Sequence, residues 1–246
     1  MHEIITLSNG LRLVIENIPH VKSVTVGVWV GAGSCRETRA NSGISHFIEH
    51  MLFKGTKKRT SKEIAEAIDD IGGQINAFTA RDCTCYYTKV LSNHLDTAVD
   101  ILSDMIFNSL LDVNDMALEK GVILEEINMY EDTPEELVHD VLAEKSWHGN
   151  ALGYSILGSA KSLKKITRDD ILDYMKKYYV PQNCVVSVVG NFEREALLEM
   201  LREGFGAWAD SGIVLKGLAT PKFFPNKTVI GKDIEQAHLC IGYDSI

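Results

Sequence analysis

Gly43-Ile44-Ser45-His46-Phe47-Ile48-Glu49-His50-Met51-Leu52-Phe53 is the stretch around which the rest of the chain arranges itself. Its pattern predicts one helix over 43–53, with Asn41 or Ser42 as the N-cap. Ile44, Phe47, Ile48, Met51, Leu52 and Phe53 are apolar, so this helix belongs inside the fold rather than on its surface. It nevertheless carries three ionisable groups, His46, Glu49 and His50. Such groups are costly in a buried helix unless they are paired or hold a metal. Residues four apart lie about 40° apart around a helix axis, so His46 and His50 project from one face, one turn apart. Glu49 leaves about 60° to the other side of His46. Two neutral imidazoles that can share a metal, with a carboxylate beside them to act on water, are the parts of a hydrolytic zinc site. The order H-x-x-E-H inverts the commoner H-E-x-x-H.

Upstream, Ile4–Leu7 and Leu11–Ile15 flank Ser8-Asn9-Gly10, and Asn-Gly between apolar runs predicts a hairpin. Val24–Val30 alternates as a third strand. Gly31-Ala32-Gly33 offers two glycines of a dinucleotide-binding turn, but Arg36 stands where the third belongs, so that reading is set aside. Downstream, Ser61–Ile71 is an amphipathic helix started by Thr60, Ser61 and Glu63 and stopped by Gly72-Gly73. Gln74–Thr79 and Cys83–Leu91 read as strands around the turn Ala80-Arg81-Asp82. Helices follow at Leu95–Phe107, Asp112–Tyr130 and Pro134–Glu144, then a Gly-rich loop at Gly149–Gly158. Thr167–Tyr179 is a helix capped by Thr167, Cys184–Val189 a strand, and Glu193–Phe205 a helix. Hairpins without a strict strand–helix alternation indicate an α+β fold, with a largely antiparallel sheet and helices packed on one face. Gly212–Lys227, with Pro221 and Pro225, reads as a linker, and His238–Tyr243 as a strand with no partner after it. The chain therefore divides into a domain at 1–211 and, at 212–246, a linker with the first strand of a missing or truncated second half.

A catalytic zinc site needs a third protein ligand. The helix Asp112–Tyr130 offers Glu119 and Glu126, seven residues apart and nearly in line, flanking Val122, Ile123, Ile127 and Tyr130. Glu125 shares its face with Gly121, Asn128 and Asp132 and is expected in solvent. His94, His139 and His148 are the rival candidates, each more simply read as a surface histidine.

Bulk properties narrow the class. Of 246 residues, 45% are hydrophobic and 24% charged, which supports one large or two modest folded units rather than disorder. A net charge of -9 argues against nucleic acid or an anionic membrane as partner, since both need a basic face. No window approaches a membrane-spanning length of about 18 apolar residues. The opening Met1-His2-Glu3-Ile4-Ile5-Thr6 lacks the basic and apolar regions of a signal peptide. The five cysteines are odd in number and lack C-x-x-C spacing, so they read as reduced thiols and the protein as cytoplasmic.

Extended to Phe53-Lys54-Gly55-Thr56, the opening stretch resembles the signature of the pitrilysin/insulinase family of zinc metallopeptidases. Within it, the branch of mitochondrial processing peptidase β-subunits and their bacterial relatives is the one resembled. Asn76-Ala77-Phe78-Thr79 followed by Tyr86-Tyr87, the run Leu118–Ile127, and Asp132-Thr133-Pro134 carry the resemblance along residues 1–246. It implies one half of a clamshell metallopeptidase, a zinc-dependent endopeptidase that hydrolyses extended or unfolded peptides in a two-half chamber. The family's glutamate ligand stands 76 positions after the second histidine, which here is Glu126. The implied zinc ligands are then His46, His50 and Glu126, with Glu49 as general base and Glu119 supporting the site. Asn76, Ala77, Phe78 and Thr79 are implied as the sheet edge that takes the peptide. The implied partners are a peptide or unfolded protein substrate and a second peptidase half, from the same longer chain or from a partner subunit in a dimer. The alternative is a non-catalytic, peptide-holding or structural subunit of such an assembly.

Overall fold

Asn9-Gly10 reverses the chain as its sequence requires. Gly10 takes a φ of 87°, and Leu7 N–H donates to Leu11 O at 2.8 Å. This closes β1 (Glu3–Thr6) against β2 (Arg12–Asn17), and the Asn9 amide reaches across to the backbone of Phe205 and Trp208. The computed structural model describes residues 2–209, 212, 215 and 217–244. β3 (Ser23–Val30), β4 (Gln74–Thr79), β5 (Thr84–Leu91) and β6 (Cys184–Gly190) complete one six-stranded sheet. The strand order is β1-β2-β6-β3-β5-β4, antiparallel except where β2 pairs with β6. β4 therefore lies on an outer edge, paired with β5 alone.

The alternation read from the sequence decides which face is covered. Leu13, Ile15, Val24, Val26, Val28, Tyr86, Val186 and Val188 share one face by register and are buried. Trp29, Phe78, Leu91 and Val189 point the other way and stay exposed. The fold is thus α+β, with a mostly antiparallel sheet and its helices on one face. Those helices are α1 (Ile44–Leu52), α2 (Ser61–Asp69), α3 (Leu95–Asn108), α4 (Val113–Glu131), α5 (Pro134–Ser146), α6 (Ala160–Leu163), α7 (Arg168–Tyr178) and α8 (Arg194–Phe205). Each buried Val, Leu, Ile or Phe side chain contributes about 1.5–3 kcal/mol.

Two of the expected caps form as capping boxes, Thr60 with Glu63 and Thr167 with Asp170. The third does not. The N-cap of α1 is Gly43, at a φ of 91°, and neither the Asn41 nor the Ser42 side chain caps the helix; Asn41 meets it only through its backbone carbonyl, which accepts from Ile44 N–H at 3.0 Å. The buried carboxylate of Glu37 caps it instead, accepting from Gly43 N–H at 2.7 Å and Ser45 N–H at 3.0 Å. Val122, expected in the buried stripe of α4, is exposed, because α4 meets the core through Met116, Glu119, Ile123 and Ile127. Glu125 is exposed as expected. Residues 210, 211, 213, 214 and 216, in the predicted boundary and linker, lie outside the described residues. His238–Tyr243 forms no sheet pairing among the described residues; Cys240 Sγ lies 3.5 Å from His139 Nδ1 on α5. All five cysteines are free thiols, and no helix of the described residues is long and apolar enough to cross a membrane.

Candidate metal centre

α1 is the most deeply embedded helix near the sheet edge. Ile44, Phe47, Ile48, Met51 and Leu52 are fully buried, and that packing fixes the direction in which the three polar groups leave it. His46 and His50 project together, ring centroids 4.6 Å apart, toward α4. There Glu126 Oε2 lies 3.8 Å from His46 Nε2 and 3.6 Å from His50 Nε2. Among the described residues, His46, His50 and Glu126 are the group whose ligand atoms converge, all within 4.8 Å of one another. The rivals do not join them: His94 bonds to neighbouring Asn93, while His139 and His148 are exposed.

The donor set fits a zinc ion. Glu126 Oε2 is buried with no hydrogen-bond partner among the described residues, although the rest of its side chain is partly exposed. A carboxylate oxygen left so is costly unless a cation faces it. Burial, and then the neighbouring His50, push the His46 pKa down to about 4, so its imidazole is neutral near pH 7, the form that ligates metal. His50 is oriented from behind. Its Nδ1 lies 2.9 Å from Oε2 of the Glu119 carboxylate, which accepts from it and leaves Nε2 facing Glu126. Glu119 is almost completely buried and ion-paired to Lys54. Burial raises its pKa, but hydrogen bonds from Lys54 and His50 outweigh this and hold it below the usual carboxylate range. His46 Nδ1 has no such support among the described residues.

Glu49 points to the sheet. Thr79 Oγ1–H, on β4, donates to Glu49 Oε2 at 2.5 Å. Burial raises the Glu49 pKa, partly countered by the Thr79 bond, which favours a group that takes up a proton readily. Beside Glu49 and His46 opens a cleft of about 310 Å³, lined by Ala77, Phe78 and Thr79 on one wall and Ser155, Ile156 and Leu157 on the other. Tyr130 and Asp140 complete its lining. Asn76 lies outside it, its side chain turned to the N–H of Ala77. The sequence reading gave no role to Glu37, Lys54, Tyr130 or Asp140: Glu37 acts after a chain reversal, Lys54 through the distant Glu119, and Tyr130 and Asp140 only once α4 and α5 meet the cleft.

Residues 12–160 match the family description "Insulinase (Peptidase family M16)". The chain belongs to this family. Residues 165–245 match a second M16 description, "Peptidase M16 inactive domain". Among curated M16 relatives, a Bacillus subtilis protein named as a zinc protease is 46% identical over 241 residues, covering 98% of this chain and 58% of its own length. A probable mitochondrial-processing peptidase subunit beta of Arabidopsis thaliana is 40% identical over 200 residues, covering 81% of this chain and 38% of its own. The chain spans about half the length of the curated bacterial relatives it matches. Among solved structures, a protease from Helicobacter pylori superposes with a TM-score of 0.81 at 26% identity, covering 91% of this chain and 54% of that one. Pitrilysin superposes with a TM-score of 0.81 at 25% identity, covering 90% of this chain and 24% of that one.

Proposed function

We propose that this chain is the metal-binding half of a zinc-dependent endopeptidase that hydrolyses extended or unfolded peptides, as processing peptidases do. The observation that carries this reading is the convergence of His46 Nε2, His50 Nε2 and Glu126 Oε2 at the side of a cleft that also holds Glu49. His46, His50 and Glu126 would hold the zinc. Bound there, zinc would supply a Lewis acid that polarises a peptide carbonyl and lowers the pKa of water so that it gives up a proton more readily.

The chain's own residues do the rest. Glu49, its carboxylate steadied by the Thr79 hydroxyl, accepts the proton of the attacking water and passes it to the departing amine. Glu119 acts through His50, fixing its tautomer and ring direction. The edge strand Asn76–Thr79 takes the peptide as an added strand: main-chain hydrogen bonds align it, and its side chains point alternately to the cleft and away. The remaining wall of the chamber comes from a second half, supplied by the same longer chain or by a partner subunit in a dimer. Five free thiols suit a reducing compartment, which we take to be the cytoplasm. The second reading, a peptide-holding subunit without activity, draws on the match of residues 165–245 to an inactive-domain description; the intact His46, Glu49, His50 and Glu126 favour catalysis.

Elemental analysis of the chain and of Glu126→Ala, purified without added metal, tests the site. The expected result is about one zinc per chain and markedly less in the variant. A folded chain that takes up no zinc even when the metal is supplied would overturn it.

A further inference from the structure

Arg81 stands in the β4–β5 turn, two residues beyond Thr79, and is not part of the cleft lining. Its guanidinium crosses instead to the opposite wall. Nη1 donates to Leu152 O at 2.6 Å and to Tyr154 O at 2.9 Å, and Nη2 lies 3.3 Å from Asp140 Oδ1 on α5. The two carbonyls belong to the single helical turn at Ala151–Gly153 and the residue after it, where carbonyls lack helical partners. A planar fork answers them and the carboxylate at once, which a lysine cannot do.

The strut is anchored at its near end as well. Arg81 O accepts from Cys35 N–H at 2.7 Å, and a Cβ on Gly33 would stand 2.2 Å from Ala80 O, so the turn sits tightly on the segment before Glu37. Beyond the cleft, the wall is fixed a second time. Gly158 packs on the entrance to α1, where a Cβ would come 2.4 Å from Ser42 O. Between these two fixed points lie Ser155, Ile156 and Leu157, the residues that face β4 across the cleft.

A peptide added to the β4 edge must fit within that gap at the usual strand spacing of about 4.8 Å. We infer that Arg81 is a positioning residue whose guanidinium holds the 152–157 wall at one strand's width from β4, so that the cleft admits a single extended peptide. This rests on the peptide-binding reading above.

The test uses the zinc-loaded chain carrying Glu49→Gln, with a fluorescently labelled, unstructured ten-residue peptide followed by anisotropy, and amide hydrogen exchange over 151–158. Arg81→Ala should weaken peptide binding about ten-fold or more, speed exchange of the 152–157 amides about ten-fold, and leave zinc content unchanged. Arg81→Lys should recover only part of both. Unchanged exchange in Arg81→Ala overturns the strut, and so does loss of zinc in parallel with peptide, which marks a general structural role. If the parent binds no peptide while Arg81→Ala still loosens 152–157, the peptide reading fails and the strut stands.

Discussion

The floor of the cleft and its far wall are built from opposite materials. α1, the floor, buries Ile44, Phe47, Ile48, Met51 and Leu52 completely and is pinned at its start by Glu37. α5, in the wall, fully buries only Ser146. Beyond its packing on α4, its ties include polar or peripheral ones: Arg81 to Asp140, Phe224 N–H to Ser146 O, and the edge-to-face pair of Trp147 with Phe223. Ligands of a metal must be held to a fraction of an ångström, and packing does that best. On the proposed reading, a wall that meets peptides of varied side chains would work with fewer buried contacts and a lower local stability.

The sharpest test of this contrast is Glu49→Gln in the full-length enzyme. It should lower peptide hydrolysis about 10²–10⁴-fold while zinc stays bound; loss of zinc would place Glu49 among the ligands and dissolve the distinction between them. Next in size is Phe47→Ala, which hollows the floor and should cost about 3–5 kcal/mol in urea unfolding. A cost under about 1 kcal/mol would mean that the floor is no firmer than the wall. Glu37→Ala leaves two buried N–H groups without their acceptor and should cost about 1–2 kcal/mol by thermal unfolding. Phe223→Ala, in the tail that packs on Trp147 at the end of α5, should cost about 0.5–1.5 kcal/mol, and a larger loss would show that the tail holds α5 more firmly than its contacts indicate.

Acid supplies a further comparison. Asp104 is buried behind the loop that follows α1, where it accepts from Thr56, Asn108 and Arg59. Burial raises its pKa, but those hydrogen bonds outweigh it and leave the folded value below the usual one. Its contribution is therefore present above the unfolded pKa of about 3.9 and is lost as pH falls through the folded value. Asp104→Asn should narrow the gap between urea midpoints at about pH 7 and about pH 3; an unchanged gap would remove Asp104 from the floor's support.

What the sequence showed was what repeats locally. Asn9-Gly10, the Thr60 and Thr167 caps and the strand alternation all act within a few residues, and the elements expected between residues 4 and 205 formed within a residue or two of their bounds, whereas α6 was not foreseen and the strand expected at His238–Tyr243 did not form. The pairing of Glu119 and Glu126 on one line of α4 was also legible, because helical spacing alone sets it. Glu37 was not, because it caps α1 only after the chain loops back on itself with Gly43 at positive φ. Arg81 was hidden for a stronger reason, since its acceptors lie 71, 73 and 59 positions away. Val122 misled because an apolar residue on a helix that touches the core along one narrow line need not reach it.

The bare rim of β4 has a consequence for handling the protein in solution. Gln74-Ile75-Asn76-Ala77-Phe78-Thr79 contains no lysine and no proline, the usual guards against strand-to-strand sticking between molecules. The N–H and C=O groups that would welcome a peptide will equally welcome the same rim of a second copy. In concentrated, peptide-free samples, self-pairing there should compete with occupancy, so that a strand-forming peptide would act as a solubiliser as well as a ligand.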